Sequence, residues 1–238
     1  MIIGSVFNAA VACIYRDATG VAGNIFAFGL FVSPIQTFRR ITRTGSTEQF
    51  SGLPYIYALL SCLTSSWYGS PLISADNVMV MTVNSVGAVF QLVYIILFIA
   101  YAEKAKKVRM LGLLAMVLCL VGIIVFLSLR VFDSETRRIF VGFLSCASMI
   151  SMFASPLFII NLVIRTRSVE YMPFYLSLST FLMSLSFFVY GILNEDPFVY
   201  APNGIGFILG IIQLGLYSYY NRSRSDQDYE EPLIISYS

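Results

Sequence analysis

The feature that most limits what this chain can become is a series of seven uncharged apolar stretches, at about residues 20–38, 53–73, 78–101, 110–129, 140–164, 173–193 and 202–220. A hydrocarbon core about 30 Å thick is crossed by a helix of roughly 20 apolar residues. None of the seven alternates strictly between apolar and polar positions, so the sequence predicts an all-α integral membrane protein with seven transmembrane helices. Composition agrees: 58% of residues are hydrophobic, mean hydropathy is +0.79, and only 12% are charged, about half the share usual in soluble domains. Residues 1–15 are also apolar, but without a basic start or a small-residue cleavage site they do not read as a removed signal peptide. They are expected to form a short N-terminal arm over 1–18.

There is no histidine, which excludes Ser-His-Asp and Cys-His catalysis, Cys2His2 zinc sites and a histidine proton shuttle. Cys13, Cys62, Cys119 and Cys146 have no paired spacing and read as packing residues. No phosphate loop or metal constellation is present in the sequence, so no catalytic residue, metal or cofactor is expected, and no nucleic-acid partner.

Charge placement sets the expected topology. Arg39, Arg40, Arg43, Lys104, Lys106, Lys107, Arg109, Arg165, Arg167, Arg222 and Arg224 fall on one side, which leaves Arg16, Arg130, Arg137 and Arg138 of the 15 basic residues on the other. By the positive-inside bias the N-terminus is non-cytosolic and the C-terminus cytosolic. The polar tail 221–238 is too poor in apolar surface to fold alone and is expected to be disordered.

The sequence repeats itself. An offset of 122 brings Ser33-Pro34 onto Ser155-Pro156, Ser46 and Glu48 onto Ser168 and Glu170, and Tyr68-Gly69 onto Tyr190-Gly191. Pro54 meets Pro173, and Asn84-x-x-Gly87 meets Asn203-x-x-Gly206, at an offset of 119. The repeats, 19–103 and 135–220, flank a linker helix within 104–134. Because one crossing separates the two triples, they run parallel, about an axis along the membrane normal. Two similar bundles can rock about a site at their interface; a seven-helix receptor, the alternative from another class, leaves the repeat unexplained.

Asn84 and Asn203 are the leading site candidates. Each is a polar amide inside an apolar helix at an equivalent place in the two halves, and an amide's donors and acceptor suit the hydroxyls of a neutral ligand. Pro34 and Pro156, deep in their spans, are candidate hinges because each removes a backbone donor. Pro54 and Pro173 also fit as first-turn prolines. Gly87 and Gly206 read as close-packing positions.

A three-plus-one-plus-three chain with Ser-Pro in the first helix of each repeat, Pro opening the second, Tyr-Gly ending it and Asn in the third resembles the SWEET (MtN3/saliva) sugar facilitators of plants over about residues 19–220, and within them the intracellular, vacuolar branch. The resemblance implies a pocket in which Asn84 and Asn203 are joined by Ser65 and Phe187, related to each other by the offset of 122, with Ala27, Leu30, Ser151 and Ala154 completing the wall. It implies a gate made by Tyr68 and Asp196, with Gly69 and Gly191 beside it, and four hinge prolines, Pro34, Pro54, Pro156 and Pro173. Many members have Trp where Phe187 stands, and some at Ser65; both positions depart from that here. Trp67, roughly 200° around the helix from Ser65, reads as a packing residue.

The seven spans contain no Asp, Glu, Lys, Arg or His, whereas proton coupling and voltage sensing need titratable or charged groups at membrane depth. The expected function is therefore energy-independent, bidirectional sugar uniport by alternating access, with a hexose favoured and sucrose or another neutral solute as the alternative. Membrane lipid and a homo-oligomer, dimer or trimer, are the expected partners. Glu230-Glu231-Pro232-Leu233-Ile234-Ile235 is similar in kind to a dileucine sorting signal, and with the resemblance it favours the vacuolar membrane over the plasma membrane.

Overall fold

The computed structural model describes residues 2–169 and 172–230. Within them the chain forms helices α1 (Ile2–Val32), α2 (Ile35–Thr44), α3 (Leu53–Tyr68), α4 (Val78–Tyr101), α5 (Lys104–Arg130), α6 (Ser134–Met152), α7 (Ala154–Thr166), α8 (Phe174–Leu193) and α9 (Pro197–Glu230). α1 with α2, and α6 with α7, are single crossings interrupted by a short turn, so the nine helices make seven rods.

Both interruptions follow from proline. Ser33 N–H bonds to Leu30 O in the turn ahead of Pro34, and α2 begins at Ile35. In the second half the break is at Phe153, and Pro156 follows within the first turn of α7. A proline removes the bond to the carbonyl four residues back and collides with it, which for Pro156 is that of Met152, the last residue of α6.

Six rods are long and apolar enough to cross a membrane: Ala10–Thr44, Val78–Tyr101, Lys104–Arg130, Ser134–Thr166, Phe174–Leu193 and Pro197–Asn221. The remaining rod, α3, has 16 residues, rising about 24 Å. Its composition reflects its surroundings. Ser61, Cys62, Thr64 and Ser65 are buried against protein rather than lipid, so it needs no continuous apolar surface.

Each half packs its third helix against its first two: α4 lies against α1, α2 and α3, and α9 against α6, α7 and α8. The halves meet where α1 packs on α8 and α3 on α6. The linker helix α5 contacts α3, α4 and α6; Trp67 Nε1 donates to Ser128 Oγ of α5 at 3.1 Å, a packing role. One buried cluster (Phe38, Ile41, Ile56, Leu59, Tyr94, Ile95, Phe98, Met110, Val117) joins the first half to the linker, and another (Ala27, Tyr68, Val80, Val83, Val141, Phe187, Tyr190, Val199 among them) lies where the halves meet.

The repeat holds in three dimensions. A Cβ on Gly87 would meet Cys62 Sγ and the Phe31 ring, and one on Gly206 would meet Ser184 Oγ and the Phe153 ring. A Cβ on Gly69 would come within 2.5 Å of Met81 N and one on Gly191 within 2.6 Å of Tyr200 N. Every one of these partners is matched by the offset of 119 or 122.

Two ends differ from expectation. The N-terminal arm continues into the first span as one helix, because no proline interrupts residues 2–32. α9 runs past Asn221 to Glu230, where composition had suggested an irregular tail; extending an existing helix needs no new nucleus. Residues 231–238, with most of the sorting-like motif, and Glu170 lie outside the described residues.

Candidate functional site

Asn84 and Asn203 adopt the same arrangement in the two halves. Asn84 Nδ2 donates to Val80 O at 2.9 Å, and Asn203 Nδ2 donates to Val199 O at 2.8 Å. One donor of each amide thus anchors the side chain to its own helix one turn back. Among the described residues neither Oδ1 accepts a hydrogen bond, so each amide retains a carbonyl oxygen and a second N–H for a ligand. Asn203 is buried and Asn84 half-buried. No hydrogen bond joins the two, and each stands over a glycine, Gly87 or Gly206, at which helices approach closely.

The second helices bring unlike groups to the interface between the halves. The Phe187 ring is buried and lies against α1, where a Cβ on Gly23 would come within 2.6 Å of it. Ser65 is fully buried and its Oγ pairs with Ser145 Oγ of α6 at 2.8 Å. Beside this pair, Thr64 Oγ1 meets Ser148 Oγ at 3.1 Å, and Ser148 Oγ donates to Ser61 Oγ at 3.4 Å. Hydroxyls thus line the contact of α3 with α6. Of the further wall residues, Ala27 is buried in the same cluster as Phe187, Leu30 is half-buried, and Ser151 and Ala154 are exposed, with Ser151 Oγ donating to Ser148 O.

Tyr68 and Asp196 are in contact. Tyr68 Oη donates to Asp196 Oδ2 at 2.5 Å, and both residues are buried. The same oxygen accepts from Asn77 Nδ2 at 2.6 Å and from Arg138 Nη2 at 3.3 Å, while Oδ1 accepts the Phe198 N–H at 3.0 Å. The carboxylate therefore ties the ends of α3, α4 and α6 to the start of α9. Asn77 and Arg138 were missed in the sequence, although the repeat marks them: Asn77 precedes Asp196 by 119, the spacing of Asn84 and Asn203, and Arg138 follows Arg16 by 122. Tyr190, the counterpart of Tyr68, donates to Asp76 O at 2.7 Å, and Asn194 Nδ2 bonds to Asp76 O and Asn77 Oδ1. Asn84 follows Asn77, and Asn203 follows Asp196, by seven residues; two turns put each amide about 10 Å deeper on the same helix face.

Among the described residues no comparable carboxylate latch is found at the opposite end. α2 packs on α4, and α7 on α6 and α9, each within its own half. Among the described residues no hydrogen bond links α2 to the second half. Pro34 and Pro156 mark the helix breaks at this end, whereas Pro54 sits in the first turn of α3 and Pro173 caps α8. Two surface concavities lie away from the amides: about 560 Å³ along α2 beside Arg39, Arg40 and Arg43, and about 460 Å³ between α1 and α4 beside Asn24 and Thr82.

Two parallel three-helix halves, closed on each other at one end and carrying matched amides between the ends, define a transporter of the parallel-repeat class rather than an enzyme. The family model described as "Sugar efflux transporter for intercellular exchange" matches twice, at residues 17–106 and 139–225, once in each half. The protein named "Bidirectional sugar transporter SWEET2" of Arabidopsis thaliana is 66% identical over 97% of this chain and 98% of its own length. "Bidirectional sugar transporter SWEET2a" of Sorghum bicolor is 59% identical over 95% of this chain and 92% of its own. A eukaryotic SWEET transporter solved at 3.7 Å resolution superposes with a TM-score of 0.88 at 53% identity, covering 89% of this chain and 99% of that one. The chain belongs to the SWEET family of multi-pass membrane transporters.

Proposed function

We propose that this protein is a bidirectional, energy-independent sugar uniporter, with a hexose as substrate, that works by alternating access between its two halves. The observation that carries the reading is the matched pair Asn84 and Asn203, each held by one donor and presenting an unbonded carbonyl oxygen from opposite halves. A neutral polyol satisfies such groups without bringing a charge into the membrane. The names of the Arabidopsis and Sorghum relatives support sugar as the transported class.

In this mechanism Tyr68, Asp196, Asn77 and Arg138 close the route on the side of the N-terminus, which is non-cytosolic. The sugar enters from the side of α2 and α7 and meets the amides between Ser65 and Phe187, with Ala27, Leu30, Ser151 and Ala154 around it. Bending at Pro34 and Pro156, with Pro54 and Pro173 at the helix starts, lets the ends near α2 and α7 approach as the gate opens. The seven apolar spans hold no Asp, Glu, Lys, Arg or His to couple the cycle to protons.

Purified protein in sealed liposomes tests this directly. Glucose counterflow should proceed in both directions and be unaffected by a protonophore; flux abolished by collapsing a proton gradient would sink the uniport mechanism. Asn84→Ala and Asn203→Ala should each reduce flux at least about tenfold, the equivalent of one or two lost hydrogen bonds. Undiminished flux in both would refute the pocket. Sucrose in place of glucose checks the substrate.

The vacuolar membrane is the proposed location, supported by the likeness to the SWEET2 proteins and by the acidic-dileucine-like tail. A fluorescent fusion residing at the plasma membrane would contradict it. Each chain holds a complete route, so a dimer or trimer would be an assembly of whole units; mass determination in a lipid nanodisc gives the number.

A further inference from the structure

The offset of 122 relates Phe187 to Ser65 and Gly23 to Ser145, so the contact of α8 with α1 and that of α3 with α6 are versions of one another. They are built differently. In one, an aromatic ring rests on a residue that has no side chain, so closely that even a Cβ on Gly23 would stand 2.6 Å from Phe187 Cε2. In the other, two buried hydroxyls meet at 2.8 Å. A ring placed on α3 as Phe187 is placed on α8 would therefore collide with a Cβ on the facing turn of α6 unless one of the two shifted, and Ser145 carries both a Cβ and an Oγ there.

We infer that Ser145 is a positioning residue of the substrate site: it restricts position 65 to a small side chain and orients the Ser65 hydroxyl, so that the route has one aromatic wall and one hydroxyl wall. The consequence is a lopsided pocket inside a symmetric scaffold. The Phe187 side offers a ring face to C–H surface, and the Ser65–Ser145 side offers hydroxyl donors and acceptors. A sugar ring with one more polar and one less polar face is then bound in a preferred orientation, and the small side chain held at position 65 sets the size the opened route accepts. Gly23 has the converse role, admitting Phe187. The assignment rests on the sugar-transport reading for its functional part and on packing alone for its steric part.

The two parts have separate tests. Thermal unfolding of the full chain in detergent compares Ser65→Phe, Ser145→Gly and the double variant. Ser65→Phe should lower the midpoint by several degrees, and adding Ser145→Gly should restore most of that loss. A double variant no more stable than Ser65→Phe would overturn the steric pairing, whatever the protein transports. Counterflow in liposomes then compares glucose with sucrose. The Ser65→Phe/Ser145→Gly protein, which gives both second helices a ring on a glycine, should change the glucose-to-sucrose flux ratio by at least about fivefold, equivalent to roughly 1 kcal/mol of differential binding. Ser145→Ala, which keeps the Cβ but releases the Ser65 hydroxyl, should raise KM for glucose more than it lowers the maximal rate. A restored midpoint with an unchanged ratio and unchanged KM would leave Ser145 a packing residue only and overturn the proposal. Absence of any flux in the unaltered protein would instead overturn the transport reading, and the specificity role with it, while leaving the thermal result to stand.

Discussion

Asp196 accepts hydrogen bonds at both carboxylate oxygens, from three side chains at Oδ2 and from the Phe198 N–H at Oδ1. Asparagine has the same shape, but its amide NH2 must face a donor whichever way it turns. Asp196→Asn should therefore destabilise this closed arrangement by about 1–3 kcal/mol, the cost of a buried polar group without its partner. Tyr68→Phe removes one donor among several and should cost about 1 kcal/mol. Thermal unfolding in detergent ranks the two, and an Asp196→Asn protein as stable as Tyr68→Phe would contradict the geometry. The amides and the gate pair differ in how far they can be read from sequence. Asn84 and Asn203 stand out because an identical polar residue recurs in two apolar helices. Asn77 and Arg138 do not, since the counterpart of Asn77 is an aspartate and Arg138 reads as an ordinary loop-flanking cation. Ser145 is harder still: its counterpart is Gly23, and only the facing residue on the other half gives either one meaning.

Glycines separate the contacts between elements that cannot yield from those that can. At Gly69 and Gly191 an added Cβ meets backbone, Met81 N of α4 at 2.5 Å and Tyr200 N of α9 at 2.6 Å, where the end of the second helix of each half packs on the start of its third. Backbone does not rotate aside as a side chain does, so Gly69→Ala and Gly191→Ala should each cost about 1–3 kcal/mol, as overpacking does. Gly112 and Gly122 on the linker helix have nothing within 4 Å of such a Cβ. Alanine there should be neutral or stabilise by up to about 1 kcal/mol through helix propensity. Melting temperatures that fail to split these pairs would undo the distinction. Helix ends carry a related asymmetry: α2 closes on Gly45 and α7 on Arg167, both left-handed, at φ 67° and 51°, and 122 residues apart. Glycine enters that region freely, whereas an arginine there costs roughly 1–2 kcal/mol. Arg167→Gly is expected to raise the melting temperature slightly, and a fall would mean that the arginine side chain makes up for its backbone. The spans were legible because lipid demands length and apolarity. The breaks at Ser33-Pro34 and Phe153 were legible only as prolines, since sequence does not say whether a proline bends a helix or ends it.

At the scale of the whole molecule, two parallel halves with a linker could be read from the repeat and the odd crossing between its copies. Which end is closed could not, because that depends on α1 meeting α8 and α3 meeting α6, contacts between segments far apart in sequence. The halves are latched at Tyr68 and Asp196, and α2 and α7 each pack within their own half. If this latch belongs to a two-state element, weakening it by about 1 kcal/mol changes the ratio of closed to open gate about fivefold. Val141, fully buried in the cluster that includes Tyr68 and one turn beyond Arg138 on α6, should report an open form of the proposed gate. With the exposed Cys13 and Cys119 replaced by alanine, Val141→Cys should react slowly with an impermeant maleimide supplied on the N-terminal side of sealed vesicles, and about fivefold faster when Tyr68→Phe is added. Ala154→Cys, exposed at the other end, should react from the opposite side and lose reactivity as the gate opens. Equal labelling of Val141→Cys with and without Tyr68 would mean that the hydrogen bond to Asp196 ties two helices together without governing access. Labelling of both cysteines from one side of the membrane would mean that the two ends do not open in alternation.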